Sequence, residues 1–217
     1  MRRCGASGLL LTVPLPGRFA VENAALAALC AGSLGIEDAV IQGALADFGG
    51  VRGRMERVAP NPLNITVFLD YAHTPDALEK LLLSVRDFRK ADQRILLLFG
   101  CGGDRDRSKR KEMGRVASRL CDFLVLTSDN CRGESADGII EEILKGVDKE
   151  KPYCVIGDRE KAIQYAVAHA RAGDILILAG KGHEEYEIKG MQRLPFSERK
   201  IVERAMEQRI KGDACEN

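Results

Sequence analysis

Five short apolar runs, Thr66–Asp70, Ile95–Phe99, Phe123–Thr127, Cys154–Ile156 and Ile175–Ala179, limit most strongly what this chain can fold into. They are continuously apolar rather than alternating, so both faces of each strand need a cover. Between them lie helical stretches near Pro75–Arg89, Lys111–Leu120, Ala136–Gly146 and Glu160–Ala172. Strands of this kind alternating with helices predict an α/β fold built on a doubly wound, mostly parallel sheet. Tyr186–Pro195, turning at Gly190, is expected to add a hairpin. Ser197–Ile210 reads as a closing helix capped by Ser197, and Gly212–Asn217 as a frayed end.

Residues 1–54 follow a different pattern. Pro14-Leu15-Pro16-Gly17 is a turn, and an Ala-rich helix from about Val21 to Leu34 stops near Gly35. A shorter helix is expected over Asp38–Phe48, ended by Gly49-Gly50. Two helices bury little surface alone, so 1–54 reads as the end of another domain and 55–217 as a domain of its own. With no Trp and 5% aromatics, the core must rest on Leu, Ile, Val and Ala.

A net charge of +1 offers no field for nucleic acid or an anionic membrane. The apolar runs are too short to cross a bilayer. Arg2 and Arg3 before Gly8–Leu11 resemble the start of a signal peptide, but the apolar stretch is too short and export is rejected. Seven cysteines without a Cys-x-x-Cys pair argue against a disulfide framework or a zinc site and for a reduced cytoplasm.

In open α/β sheets ligands bind beyond the carboxyl ends of the strands, so the residues that follow each strand carry the chemistry. Asp70-Tyr71-Ala72-His73-Thr74-Pro75 combines a carboxylate at a strand end with a helix start, Thr74 as cap and Pro75 in the first turn. Gly100-Cys101-Gly102-Gly103-Asp104-Arg105-Asp106-Arg107 is neither a dinucleotide fingerprint nor a P-loop. Its Asp/Arg alternation reads equally as a solvated salt-bridge ladder. Ser128-Asp129-Asn130-Cys131-Arg132 pairs ammonium acceptors with a guanidinium fork. Gly180-Lys181-Gly182-His183-Glu184 offers glycines that leave room for a ligand beside a crowd of polar groups. His169 reads as an incidental mid-helix residue. Arg105 and Arg132 for carboxylates, with Asp129, Asn130 and Glu184 for ammonium groups, suit a zwitterionic amino acid better than a nucleotide.

The stretches PLPGRFAVEN (14–23), GRME (53–56), DYAHTPDALE (70–79), FGCGGDRDR (99–107), SDNCR (128–132), AGKGHEEY (179–186) and FSER (196–199) closely resemble, in this order, the C-terminal region of the Mur ligases. Among these the resemblance is greatest to members that add meso-diaminopimelate to UDP-N-acetylmuramoyl-L-alanyl-D-glutamate. It implies a Rossmann-like amino-acid-binding domain preceded by the helical end of the family's central ATP-binding domain. It also implies an acyl-phosphate route that uses ATP and Mg2+. Diaminopimelate would be held by Arg105, Asp129, Asn130, Arg132, Gly180 and Glu184, with Arg132 on the distal carboxylate that lysine lacks. Asn23, Arg54, Asp70 and His73 would lie toward ATP. No catalytic or metal-ligating residue is assigned to this chain, because the family's phosphate loop, carbamylated lysine and UDP-sugar domain would precede residue 1. Cys131 stands where the family has proline, and Ala20 where it has asparagine. Alternatives are a lysine-adding ligase, the more distant folylpolyglutamate synthases, and a non-catalytic amino-acid-binding module.

Overall fold

A computed structural model describes residues 9–215, and the chain divides between Gly50 and Val51 into two compact units. The expectations placed on Arg2, Arg3 and Gly8, and on Glu216 and Asn217, lie outside the described residues.

The first unit is a pair of helices, α1 (Arg18–Ser33) and α2 (Asp38–Ala46). Helix α1 starts at Arg18 rather than Val21, directly after Gly17, whose φ of 96° few other residues would adopt. Its inward stripe is Ala20, Ala24 and Ala28, one residue per turn, and α2 adds only Ile41. Leu26, Leu29, Leu34 and Val40 stay exposed.

The second unit holds the sheet, in the order β1-β2-β6-β3-β4-β5. Its strands are β1 (Glu56–Arg57), β2 (Thr66–Asp70), β3 (Ile95–Phe99), β4 (Phe123–Leu126), β5 (Tyr153–Val155) and β6 (Ile175–Ala179). Only β1 runs antiparallel to its neighbour. Helices α3 (Pro75–Phe88), α4 (Ser108–Leu120), α5 (Ala136–Leu144) and α6 (Arg159–His169) make the crossovers, and α7 (Glu198–Cys215) closes the chain. The small ladder of β7 (Tyr186–Lys189) and β8 (Gln192–Pro195) forms the expected hairpin around Gly190.

Successive residues of each strand go to opposite faces, and this explains the unbroken apolar runs. Ile95, Leu97 and Phe99 join one core cluster with Leu78, Leu82, Met113, Val116, Ile139 and Ile143 of α3, α4 and α5. Leu96 and Leu98 join the other with Ile163, Val167, Ile201 and Val202 of α6 and α7. A buried Leu→Ala change at either face would cost about 2–5 kcal/mol. Thr74 caps α3 by accepting from the Ala77 amide, with Pro75 in the first turn, as the sequence predicts. Helix α6 ends at His169, which is therefore a terminal rather than a mid-helix residue; its Nδ1 lies 2.9 Å from the Tyr165 carbonyl and its ring stacks on Tyr165. Helix α7 continues past Ile210 to Cys215.

The chain lays down β2, skips a place, runs outward through β3, β4 and β5, and returns to insert β6 in the gap. Beyond β3 the connection goes to the α4 face, and beyond β6 it leads toward the α7 face. The carboxyl ends of these adjacent strands therefore flank a crevice of the kind that holds ligands in open α/β sheets.

Candidate functional site

The end of β2 is organised around Tyr71. Asp70, at the last position of the strand, is buried and accepts from the amides of Met55 and Ala72, both at 2.8 Å. Burial raises its pKa, against the pull of these two bonds and of Arg54. Its partners are backbone groups, and they fix Met55 at a φ of 44° on the segment before β1. Arg54 lies 4.7 Å over the Tyr71 ring, and the rings of His73 and His183 lie 4.7 and 5.3 Å from it. Three of the residues assigned toward ATP, Arg54, Asp70 and His73, thus gather at one strand end. Asn23 lies exposed on α1 in the other unit.

The loops after β3 and β4 are laced together. The Gly103 amide donates to the Asn130 carbonyl, and Arg132 Nη1 donates to the carbonyls of Gly103 (2.9 Å) and Asn130 (3.2 Å). A Cβ on Gly100 or Gly103 would collide with the carbonyl oxygen of Thr127 (2.3 Å) or Cys131 (1.9 Å). These glycines serve the close approach of two loops. Arg132 adopts a φ of 52° and its backbone pairs with the hairpin, donating to Ile188 O and accepting from Gly190 N. Cys131 is buried and its thiol donates to Asp129 O at 3.3 Å. Arg105 is exposed, close to the same Gly102 that Arg132 borders.

The Asp/Arg run is not a ladder. Asp104 accepts from the Gly133 amide, Asp106 accepts from the Ser108 amide and hydroxyl, and Arg107 pairs with Glu142. Arg110 on α4 is fully buried and bridges Glu134 and Glu142. The Arg110 hydrogen bonds, helped by the Asp104 amide, hold the Glu134 pKa down at about 2.

The loops after β4 and β6 meet in the densest polar region. Gly180 has a φ of 117°, and a Cβ there would lie 2.7 Å from the Asp129 carboxylate. Gly182 is packed against Tyr71 and the Gly53 carbonyl. The glycines expected to leave room for a ligand also admit the protein's own chain. Asn130 Nδ2 donates to Glu184 at 2.8 Å, while its Oδ1 accepts from Lys181 Nζ (3.1 Å) and the Ile188 amide (2.9 Å). Lys181 is fully buried, with Tyr186 O at 3.0 Å, Asp129 Oδ1 at 3.5 Å and the Phe196 ring at 5.4 Å.

Beneath this region Arg159, the first residue of α6, donates to Ser128 O (3.0 Å) and Ala179 O (2.9 Å), tying the ends of β4 and β6. Its Nε meets Glu198 of α7 at 2.8 Å, and both side chains are almost wholly buried. Burial opposes the Arg159 charge, but Glu198, Asp129 and Glu187 outweigh it and its pKa is raised. Glu187 is also buried, paired with Lys189 at 2.9 Å. Sequence reasoning passed over Arg159 and Arg110, and quoted Glu198 within FSER and Lys181 within AGKGHEEY without assigning either a role. The one available signal was a charged residue at the start of α6 directly beyond β5.

Of the residues assigned to an amino acid, Asp129, Asn130, Gly180 and Glu184 converge directly, and Arg105 and Arg132 flank Gly102 at the adjoining loop. Beside them a groove of about 640 Å³ is lined by Tyr71, His183, Glu184, Tyr186, Arg193 and Pro195. Among the described residues no group of three or more His, Cys, Asp or Glu side chains could hold a metal ion. The sequence also contains no Gly-Lys-Ser/Thr phosphate loop.

Residues 53–182 match the family model described as Mur ligase, glutamate ligase domain. A curated relative from Thermosynechococcus vestitus, UDP-N-acetylmuramoyl-L-alanyl-D-glutamate–2,6-diaminopimelate ligase, is 46% identical over 202 residues, 93% of this chain and 40% of the relative. A protein of the same name from Syntrophomonas wolfei is 44% identical over 209 residues, covering 95% and 42%. A solved structure bearing that name superposes with a TM-score of 0.72 at 34% identity, covering 92% of this chain and 40% of that one. The chain thus spans about 40% of the length of the curated relatives it matches.

Proposed function

The chain belongs to the Mur ligase family, and on that premise we propose that it is the amino-acid-binding part of an ATP-dependent ligase. The reaction would join meso-diaminopimelate to UDP-N-acetylmuramoyl-L-alanyl-D-glutamate in cytoplasmic peptidoglycan synthesis. Residues 1–54 would be the end of that ligase's ATP-binding domain. ATP and Mg2+ would be held mainly by residues this chain does not contain, and no step of phosphoryl transfer is assigned to it. Arg54, His73 and Asn23 are proposed to face the nucleotide, and Asp70 to act there by fixing the backbone at Met55 and Ala72.

The observation that carries the reading is the sorting of charge between two corners of one crevice. Asp129 and Glu184 present carboxylate oxygens beside the ends of β4 and β6, where an ammonium group would be met, with Asn130 donating to Glu184 between them. Arg105 and Arg132 present guanidinium groups beside the β3 loop, where carboxylates would be met. A diamino dicarboxylic acid offers ammonium groups to the first corner and, to the second, a carboxylate more than lysine has. Lysine has a second ammonium group but no second carboxylate, and would leave one guanidinium unanswered. The relatives' shared name points to the same substrate.

Calorimetric titration of the chain with meso-diaminopimelate and, separately, L-lysine tests the proposal. Selective binding of diaminopimelate is expected. Equal or tighter binding of lysine, or no binding by the folded chain, would contradict a preassembled diaminopimelate site.

A further inference from the structure

We infer that Lys181 is a positioning residue that holds the Asn130 carboxamide in the single orientation presenting Nδ2 to Glu184 and to an incoming amino acid. The inference deepens the amino-acid-binding reading and rests on it for its functional consequence. Lys181 is fully buried, so its ammonium does not reach a ligand in the crevice. Its donors are directed inward, to Asn130 Oδ1 at 3.1 Å and Tyr186 O at 3.0 Å, with Asp129 Oδ1 at 3.5 Å. The Ile188 amide reaches the same Asn130 oxygen at 2.9 Å.

Two donors on one oxygen decide the amide's orientation. A flipped Asn130 would set its NH2 group against an ammonium and a backbone N–H, neither of which can accept a hydrogen bond. With Oδ1 held inward, one Nδ2 hydrogen is spent on Glu184 Oε2 at 2.8 Å. The second hydrogen remains for a substrate carboxylate, and Glu184 Oε1 remains for a substrate ammonium. Lys181 therefore sets the donor–acceptor pattern of the corner without touching the ligand. The flanking glycines fit this role. Gly180 allows Asp129 to come close, and Gly182 packs against Tyr71 and Gly53, so the lysine between them is delivered to a fixed depth.

The test uses the full chain labelled with 15N, the Asn130 side-chain amide signals being assigned with Asn130→Ala. In Lys181→Met those signals are expected to move and to exchange faster with solvent; in Lys181→Gln, which keeps a neutral donor, they should move less. Unmoved Asn130 signals in folded Lys181→Met overturn the inference whatever happens to binding. Should that variant not fold, unmoved signals in Lys181→Ala, which keeps no donor, overturn it equally. In parallel titrations, Lys181→Met should weaken meso-diaminopimelate binding roughly tenfold but add no loss in an Asn130→Ala background. Additive losses would show that Lys181 does not act through Asn130. If the wild-type chain binds no diaminopimelate while the amide signals respond as expected, the amino-acid reading fails and the positioning of Asn130 by Lys181 stands.

Discussion

Two corners of the crevice are built in opposite ways. Where β4 and β6 end, Lys181, Asn130, Asp129, Arg159 and Glu198 are buried and bonded to one another or to backbone carbonyls. Beside the β3 loop, Arg105 is exposed without a protein partner among the described residues, and Arg132 spends only Nη1 on the backbone. The first corner is shaped before any ligand arrives. The second keeps unpaired donors, which are proposed to meet carboxylate. Stability should therefore reside in the first corner and discrimination between amino acids in the second.

The largest expected effect breaks the buried corner. Arg159→Met would leave Glu198, whose pKa burial already raises, without its partner in the interior, to stay charged and desolvated or to take up a proton, a loss of about 3–5 kcal/mol. Urea denaturation would show it, and adding Glu198→Leu should recover much of the loss, because an apolar pair avoids the desolvation penalty. Intact stability in Arg159→Met alone would mean that the pair contributes little. At the other corner, Arg105→Ala should change stability by no more than about 0.5 kcal/mol while weakening diaminopimelate binding about tenfold. A large loss of stability there would erase the division between the corners.

A smaller effect concerns acid. Arg110 holds the Glu134 carboxyl at about 2, below its ordinary 4.5. A lowered carboxylate pKa adds stability that is fully present above the ordinary value and is lost as pH falls through the folded one. Denaturation midpoints of wild type and Glu134→Gln should therefore differ at neutral pH and converge as pH drops from about 4.5 to about 2. A constant gap would remove this linkage. The smallest effect is chemical. Burial pushes the thiols of Cys101 and Cys121 up to about 12, whereas Cys30 is exposed. A thiol reagent at neutral pH should label Cys30 in the native chain and reach Cys101 and Cys121 only on unfolding.

How much of this was legible in the sequence depended on the range of the interactions. The apolar runs required a sheet covered on both faces, because Leu97 and Leu98 must each find a core on opposite sides. Thr74 and Pro75 announced α3 through contacts within one turn. The residues proposed to face the substrate were visible as polar clusters at strand ends. The order of the strands was not, since inserting β6 between β2 and β3 is decided by packing between distant segments. The Arg159–Glu198 pair and the Lys181–Asn130 bond join residues 39 and 51 positions apart, and neither leaves a local pattern. The glycines of the β3 and β6 loops were legible as close approaches. Which parts of the chain approach them became visible only in three dimensions.

The most direct measurement is the ratio of calorimetric affinities for meso-diaminopimelate and L-lysine in wild type and in Arg132→Ala. If the exposed corner reads the second carboxylate, the wild-type ratio favours diaminopimelate and falls toward one in the variant, while lysine affinity changes little. Equal losses for both ligands would contradict the assignment of Arg132 and, with it, the division of the site into a corner that holds the fold and a corner that chooses the amino acid.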